Sequence, residues 1–186
     1  MSIIQAKKRR KFNAVFTLQL THHGRTPTIG WPQLDRSGVN VLRGSHSARI
    51  DAKGRLKLPN AFRALIAGTH GVELYITSLS GDSVRIYPLP VWHGVEERLS
   101  RMPSTHPARL KFLDRVNYYG QDGVFDAQGR VLIPARLREA AGMAGEVDVL
   151  GQLHYLEVWN HDRFLSKLQR EPFDDDDARA LADAGI

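Results

Sequence analysis

Between residues 45 and 160 the apolar positions follow two rhythms, one of period two and one near 3.6, and the order in which they come is repeated. In Arg55-Leu56-Lys57-Leu58 the leucines fall on one face of a strand and the basic groups on the other. Phe62, Leu65 and Ile66 then have the spacing of a helix face that ends before Gly68. VELYIT and VRIY, joined by SLSGDS, predict two further strands. The same order returns as Arg130-Val131-Leu132-Ile133, a helix face of Leu137, Ala140 and Ala141 before Gly142, and the strands EVDVL and YLEVW joined by GQLH. Leu132 makes RVLI almost continuously apolar, which predicts a strand covered on both faces. Between the copies, Trp92, Val95, Leu99 and Met102 predict one helix, PSTHP a break, and Leu110, Leu113 and Val116 a second helix before Gly120. A last helix is expected through Phe164, Leu165 and Leu168.

The repetition extends to the letters: DAKGRLKLPNAFR begins at Asp51 and DAQGRVLIPARLR at Asp126. Asp at the head of a turn can bond the backbone ahead of it, and Gly suits the fourth place, so Asp51, Gly54, Asp126 and Gly129 read as turn builders. Pro59 and Pro134 suit the first turn of a helix, where a missing N–H costs nothing. Each copy is thus a hairpin, a helix and a hairpin. A unit of about fifty residues hides little apolar surface alone, so the copies are expected to pair or interleave.

Composition changes this picture little and charge changes it more. The chain has 186 residues, 42% hydrophobic and 25% charged, suited to one or two small domains. It has no cysteine, which removes disulfides, thiolate metal sites and thiol nucleophiles. The net charge of +6 arises in residues 1–40, where seven basic side chains face one acidic. Residues 41–170 nevertheless carry +5, because six acids against one arginine are crowded into residues 171–186. That acidic run reads as a solvated, disordered tail. The first forty residues, with KKRRK and THHGRTPTIGWP, are expected to hold little structure and to act at most as a basic arm; Asn13, Thr17 and Gln19 dilute any signal-peptide core. No apolar run approaches a membrane span, so no membrane partner is expected.

Nothing in the spacing defines an enzyme. Eight histidines, at 22, 23, 46, 70, 93, 106, 154 and 161, form no metal-ligand pattern, and there is no Gly-rich phosphate loop. Neither catalysis, a cofactor, a metal nor a small-molecule substrate is expected.

The doubled D-x-x-G-R-x-x-x-P-x-x-x-R, with YPLPVW between the copies and GEVDVLGQLHYLEVW after the second, resembles the MraZ family over about Leu42 to Phe164. The resemblance implies a bacterial regulator of the division and cell-wall gene cluster, cytoplasmic and nucleoid-associated. It would bind repeated boxes of double-stranded promoter DNA as a ring-shaped homo-oligomer. It also implies a mainly β fold with α (α+β), built from two tandem AbrB-like swapped-hairpin barrel modules with connecting helices. On this division residues 1–40 are an extension, 45–92 the first module, 93–119 the connecting helices, 120–163 the second module and 164–186 a C-terminal helix with the acidic tail. Leu42-Arg43-Gly44 fills the place of the family's early Arg-Gly, which suggests translation starting at Val41. Gln121-Asp122 depart from the small residues usual there.

A guanidinium on a rigid turn can bond O6 and N7 of guanine together, so Arg55 is the expected base reader. Lys53, Arg49, Lys57 and Arg43 are candidates for phosphate contacts. Gln128 and Leu132 replace Lys53 and Lys57 in the second copy, leaving Arg130 as its basic group on the turn, so the first copy is expected to dominate on DNA and the second to serve assembly more. A plainer alternative pairs Arg55 with Asp51 and Arg130 with Asp126. Arg63 and Arg138 read as helix-surface ion pairs, and Trp92 and Trp159 as core or interface anchors. From a different class, the chain could be a structural or protein-interaction ring, or an antitoxin-like partner binder.

Overall fold

The computed structural model describes residues 41–186; the basic arm and the residues before Val41 lie outside the described residues. In chain order the elements are β1 (Ser45–Ile50), β2 (Arg55–Lys57), α1 (Asn60–His70), β3 (Glu73–Thr77), β4 (Val84–Pro88), α2 (Leu89–Ser100), α3 (Pro107–Tyr118), β5 (Gln121–Val124), β6 (Arg130–Leu132), α4 (Ala135–Ala141), β7 (Gly145–Gln152), β8 (Tyr155–Asn160), α5 (His161–Arg170) and α6 (Asp175–Asp183).

The strands form one antiparallel sheet in the order β5-β3-β4-β8-β7-β1-β2-β6. Its two ends, β5 and β6, are joined by the second motif's turn, which leaves a barrel closed except at that seam. The two copies interleave: β2 pairs with β6, β4 with β8, β1 with β7 and β3 with β5. A pseudo-twofold axis therefore passes between β2 and β6 on one side and β4 and β8 on the other. This is the expected mainly β architecture of two swapped-hairpin modules, with the exchange made inside one chain.

Period-two patterning fills the barrel. Leu56, Val131, Ile133, Leu74, Val84, Ile86, Val147, Val149, Leu156 and Val158 are all fully buried, and α1 and α4 close it with Phe62, Ile66, Leu137 and Ala141. Each buried Val, Leu, Ile or Phe side chain of this set contributes about 1.5–3 kcal/mol through burial. No single copy could enclose this set, because its partner strands belong to the other copy.

The helices start one residue later than expected, so the prolines stand just before the first turn and not inside it. Pro59 and Pro134 are the N-caps, with φ −53° and ψ near 136–138°. Their fixed φ suits the helix entrance, while the extended ψ turns the chain out of the strand. Each carbonyl then accepts the first helical bond, from the N–H of Arg63 at 3.0 Å and of Arg138 at 2.9 Å. α1 runs past Gly68 to His70, whereas α4 stops as expected at Gly142, in the left-handed conformation at φ 62°.

α2 and α3 are separated at the PSTHP break; α2 packs on β3 and β4, and α3 meets β3. Trp92 is buried and stacks on Tyr75 with ring centroids 4.3 Å apart, and the Thr77 hydroxyl donates to the Val116 carbonyl at 2.6 Å. Trp159 is half-buried against Phe164, at 5.8 Å. Gln121 and Asp122 are accommodated as exposed residues of β5, opposite Ile76 and Tyr75.

The acidic run differs from expectation. It is solvated throughout, but it folds into α6. Asp174 caps this helix by accepting from the N–H groups of Asp176 and Asp177, and Asp177 reaches back to the N–H of Asp174. Acids in the first turn also favour the positive end of the helix dipole, so the residues that read as disordered are here a start signal. Among the described residues no helix is long and apolar enough to cross a membrane.

Candidate nucleic-acid interface

Each motif folds into the same turn. The Asp51 carboxylate accepts the N–H of Lys53 and of Arg55 on one oxygen, both at 2.9 Å, and the Arg55 guanidinium Nε–H on the other at 2.8 Å. The Gly54 N–H closes the turn onto the Asp51 carbonyl at 2.8 Å, with Gly54 at φ +80°. In the second copy Asp126 accepts from Gln128 and Arg130 N–H at 2.9 Å and from Arg130 Nε at 2.7 Å, and Gly129 lies at φ +71°. Asp51 and Asp126 are therefore turn builders, as the residue chemistry requires. Both carboxyls are held below their ordinary pKa, first by the backbone N–H of the following arginine and then by its guanidinium.

The Asp–Arg ion pairs that formed the plainer alternative are thus present. They use Nε only. Among the described residues the two Nη groups of Arg55 and of Arg130 make no hydrogen bond, and the side chains are 30% and 23% exposed. The carboxylate fixes the guanidinium from one edge and leaves its outer fork, the part that matches two acceptors on guanine, unengaged.

The cross-copy ribbon gathers most of the expected site. Register pairs Arg55 with Leu132, Leu56 with Val131 and Lys57 with Arg130. Leu56 and Val131 point into the core, so Arg55, Lys57, Arg130 and Leu132 share the outward face. β1 pairs with β2 at Ile50 and Leu56, which sets exposed Arg49 on the same side, though its β7 neighbour is Glu146. Lys53 is exposed at the tip of the turn. Arg43 is not brought to this face: it lies beyond the far end of β1, where Leu42 bridges Leu153. A six-residue strand puts roughly 20 Å between it and the turn.

Two sequence readings are corrected here. Leu132 is not covered on both faces but stands 53% exposed, because only the inner face of the ribbon is covered, by the packing of Val131 and Ile133. Arg63 and Arg138 form no surface ion pair among the described residues. Arg138 of α4 lies over Gly54, where an added Cβ would meet its guanidinium carbon at 2.4 Å, and Arg63 of α1 lies likewise over Gly129, with its Cδ at 2.4 Å. Both Nε atoms are buried without a hydrogen-bond partner. Each copy's helix therefore braces the other copy's turn. The signal was present in the motif, whose final Arg recurs at the same distance from Pro in both copies, but its partner is 75 residues from the obvious one.

Elsewhere, an open groove beside α5 is lined by Arg85, Glu157, Trp159 and Arg163, and its central charges are paired within the fold. Glu157 accepts from Ser83 at 2.8 Å and from Arg85 at 3.4 Å. Among the described residues no group of His, Asp and Glu could hold a metal ion.

The MraZ family model, described as "MraZ protein, putative antitoxin-like", matches residues 41–115 and 122–184. Among similar proteins, the transcriptional regulator MraZ of Acidobacterium capsulatum is 48% identical over 146 residues, which is 78% of this chain and all of that protein. The protein of the same name from Koribacter versatilis is 44% identical over 147 residues, again 78% of this chain and all of its own length. That of Idiomarina loihiensis is 31% identical over 132 residues, 70% of this chain and 87% of its own. The doubled braced turn, the interleaved barrel and these matches agree: the chain belongs to the MraZ family.

Proposed function

We propose that this protein is a sequence-specific DNA-binding transcriptional regulator, acting as a repressor of the division and cell-wall gene cluster. In this reading it binds repeated boxes in its own promoter as a ring of like subunits, in the cytoplasm and on the nucleoid, with no catalysis and no cofactor. The observation that carries it is the β2–β6 ribbon, whose outward face places Arg55 and Arg130, each clamped by its own carboxylate, beside Lys57. A guanidinium with a fixed edge and a free fork loses little freedom on bonding a base, and a flanking ammonium holds a phosphate. Arg55 and Arg130 read bases; Lys57, Lys53, Arg49 and, farther along the chain, Arg43 hold phosphates. The first copy supplies more of these cations, which favours it as the dominant contact.

Mobility shifts on duplex DNA from upstream of the protein's own gene test this reading. Arg55→Ala should abolish the preference for that DNA over a scrambled duplex. Lys57→Ala should weaken both alike and reduce the salt slope by about one. Equal loss on both duplexes in the Arg55 variant removes it from the role of reader.

A second reading has its own support. α5, α6 and the residues between them expose Leu165, Leu168, Phe173 and Leu181, each at least 40% accessible, which suits contact with another protein. In that case the chain is an interaction ring or an antitoxin-like partner binder, and its oligomers would show no preference among DNA sequences.

A further inference from the structure

Leu132 is the one member of the ribbon's outward face with no charge to offer a phosphate and no polar group to offer a base. It is 53% exposed, at one end of the ribbon, with Arg55 as its cross-strand neighbour. The pseudo-twofold axis relates it to Lys57, since both stand two places after the motif's first arginine. The axis thus relates a hydrocarbon to an ammonium group. One end of the ribbon carries Arg55 with Leu132 and the other Arg130 with Lys57.

The major groove of DNA offers one apolar feature, the C5-methyl of thymine, beside the acceptors of guanine. Facing side chains on paired strands have Cβ atoms about 4.5–5.5 Å apart. Successive bases on one strand are separated by about 3.4 Å. A guanidinium on a guanine edge therefore carries its strand neighbour to the adjoining base step. Resting on the reading of this face as a DNA interface, we propose that Leu132 recognises the methyl group of a thymine next to the guanine bonded by Arg55. Its surroundings favour this occupant over a second copy of the chain. Arg55, Lys57 and Arg130 crowd around it, and an identical basic face would repel them, whereas a polyanion with a methyl in its groove satisfies both kinds of group. A consequence is polarity. The two ends of the ribbon are not equivalent, so it docks on DNA in one direction.

The test uses the full chain and a duplex enriched by it from a random-sequence pool. Each thymine is replaced in turn by deoxyuridine, which removes only the methyl, and each guanine by 7-deazaguanine, which removes N7. Wild type should bind about fourfold more weakly at one uracil, the weight of one methyl-sized apolar contact, and that position should adjoin a guanine whose N7 matters only when Arg55 is present. Leu132→Ala should bind the thymine and uracil duplexes equally while still sensing the deazaguanine. Leu132→Lys should also lose the methyl preference and should steepen the salt dependence. Wild type that ignores every uracil overturns the inference and leaves the interface standing. So does a Leu132→Ala variant that keeps the preference, or one that shrinks the oligomer in light scattering with the preference intact, which would assign Leu132 to a contact between copies. A pool that enriches no sequence overturns the interface reading and this inference together.

Discussion

Arg138 lies across Gly54, so close that a Cβ on the glycine would fall within 2.4 Å of its guanidinium carbon, and Arg63 stands in the same relation to Gly129. The turn that holds Arg55 is therefore shaped by a helix from the other half of the chain. A side chain on a turn supported only by its own hairpin would move with that hairpin; here both turns are fixed to one shared barrel.

Gly54→Ala should lower stability by at least about 1–2 kcal/mol from the left-handed backbone alone, with a further loss from displacing Arg138. Combined with Arg138→Ala the steric part should vanish. Urea denaturation of the four proteins in this cycle should give a coupling of about 0.5–3 kcal/mol. Strict additivity would show that the glycine serves its backbone angle and not the close approach.

The two leucines of the ribbon should behave oppositely. Leu56→Ala empties a fully buried site and should cost about 2–5 kcal/mol. Leu132→Ala, on the exposed face, should stay within about 0.5 kcal/mol of the parent. Thermal unfolding of both variants, at one concentration, measures the difference.

Stability should depend on pH at both ends of the working range. Asp51 and Asp126 have folded pKa values lowered from 3.8 by the N–H groups and guanidinium they accept from. Their contribution is complete above that value and is lost as pH falls through the lowered one. His161 is opposite in sign. Its ring nitrogen lies 2.8 Å from the Asp148 carboxylate, which raises its pKa from 6.5. This contribution is complete below 6.5 and is lost as pH rises through the raised value. His161→Gln should flatten the alkaline limb of a stability–pH curve and leave the acidic limb unchanged, while Asp51→Asn should shrink the acidic limb to the share that Asp126 keeps and leave the alkaline limb unchanged.

Neither half should fold alone. Residues 41–104 contain β1 to β4, but β1 needs β7, β2 needs β6 and β4 needs β8. Circular dichroism of 41–104 and of 105–186 should show little ordered sheet separately, and mixing them should restore the barrel. A folded half would mean that each copy can close its hairpins on itself.

Local chemistry made much of this molecule legible. Leu56 and Leu58 had to face one way and Arg55 and Lys57 the other, because side chains alternate along a strand. Asp51 and Gly54 specified a turn, and Pro59 the entrance of a helix, through bonds that reach only a few residues. The duplication itself announced two equivalent units. What stayed hidden depends on partners distant in the chain. Alternation says which residues are inside but not which strand lies alongside, so it could not reveal that Lys57 neighbours Arg130. The continuous apolar run at Leu132 suggested cover on both faces, and only the closure of the barrel decided that its outer side is open. Arg63 and Arg138 looked like solvent-facing charges because the glycines they brace belong to the other copy. The sequence by itself determined the faces, the turns and the number of modules; the pairing between modules, and with it the composition of the exposed ribbon, came from long-range packing that no local periodicity encodes.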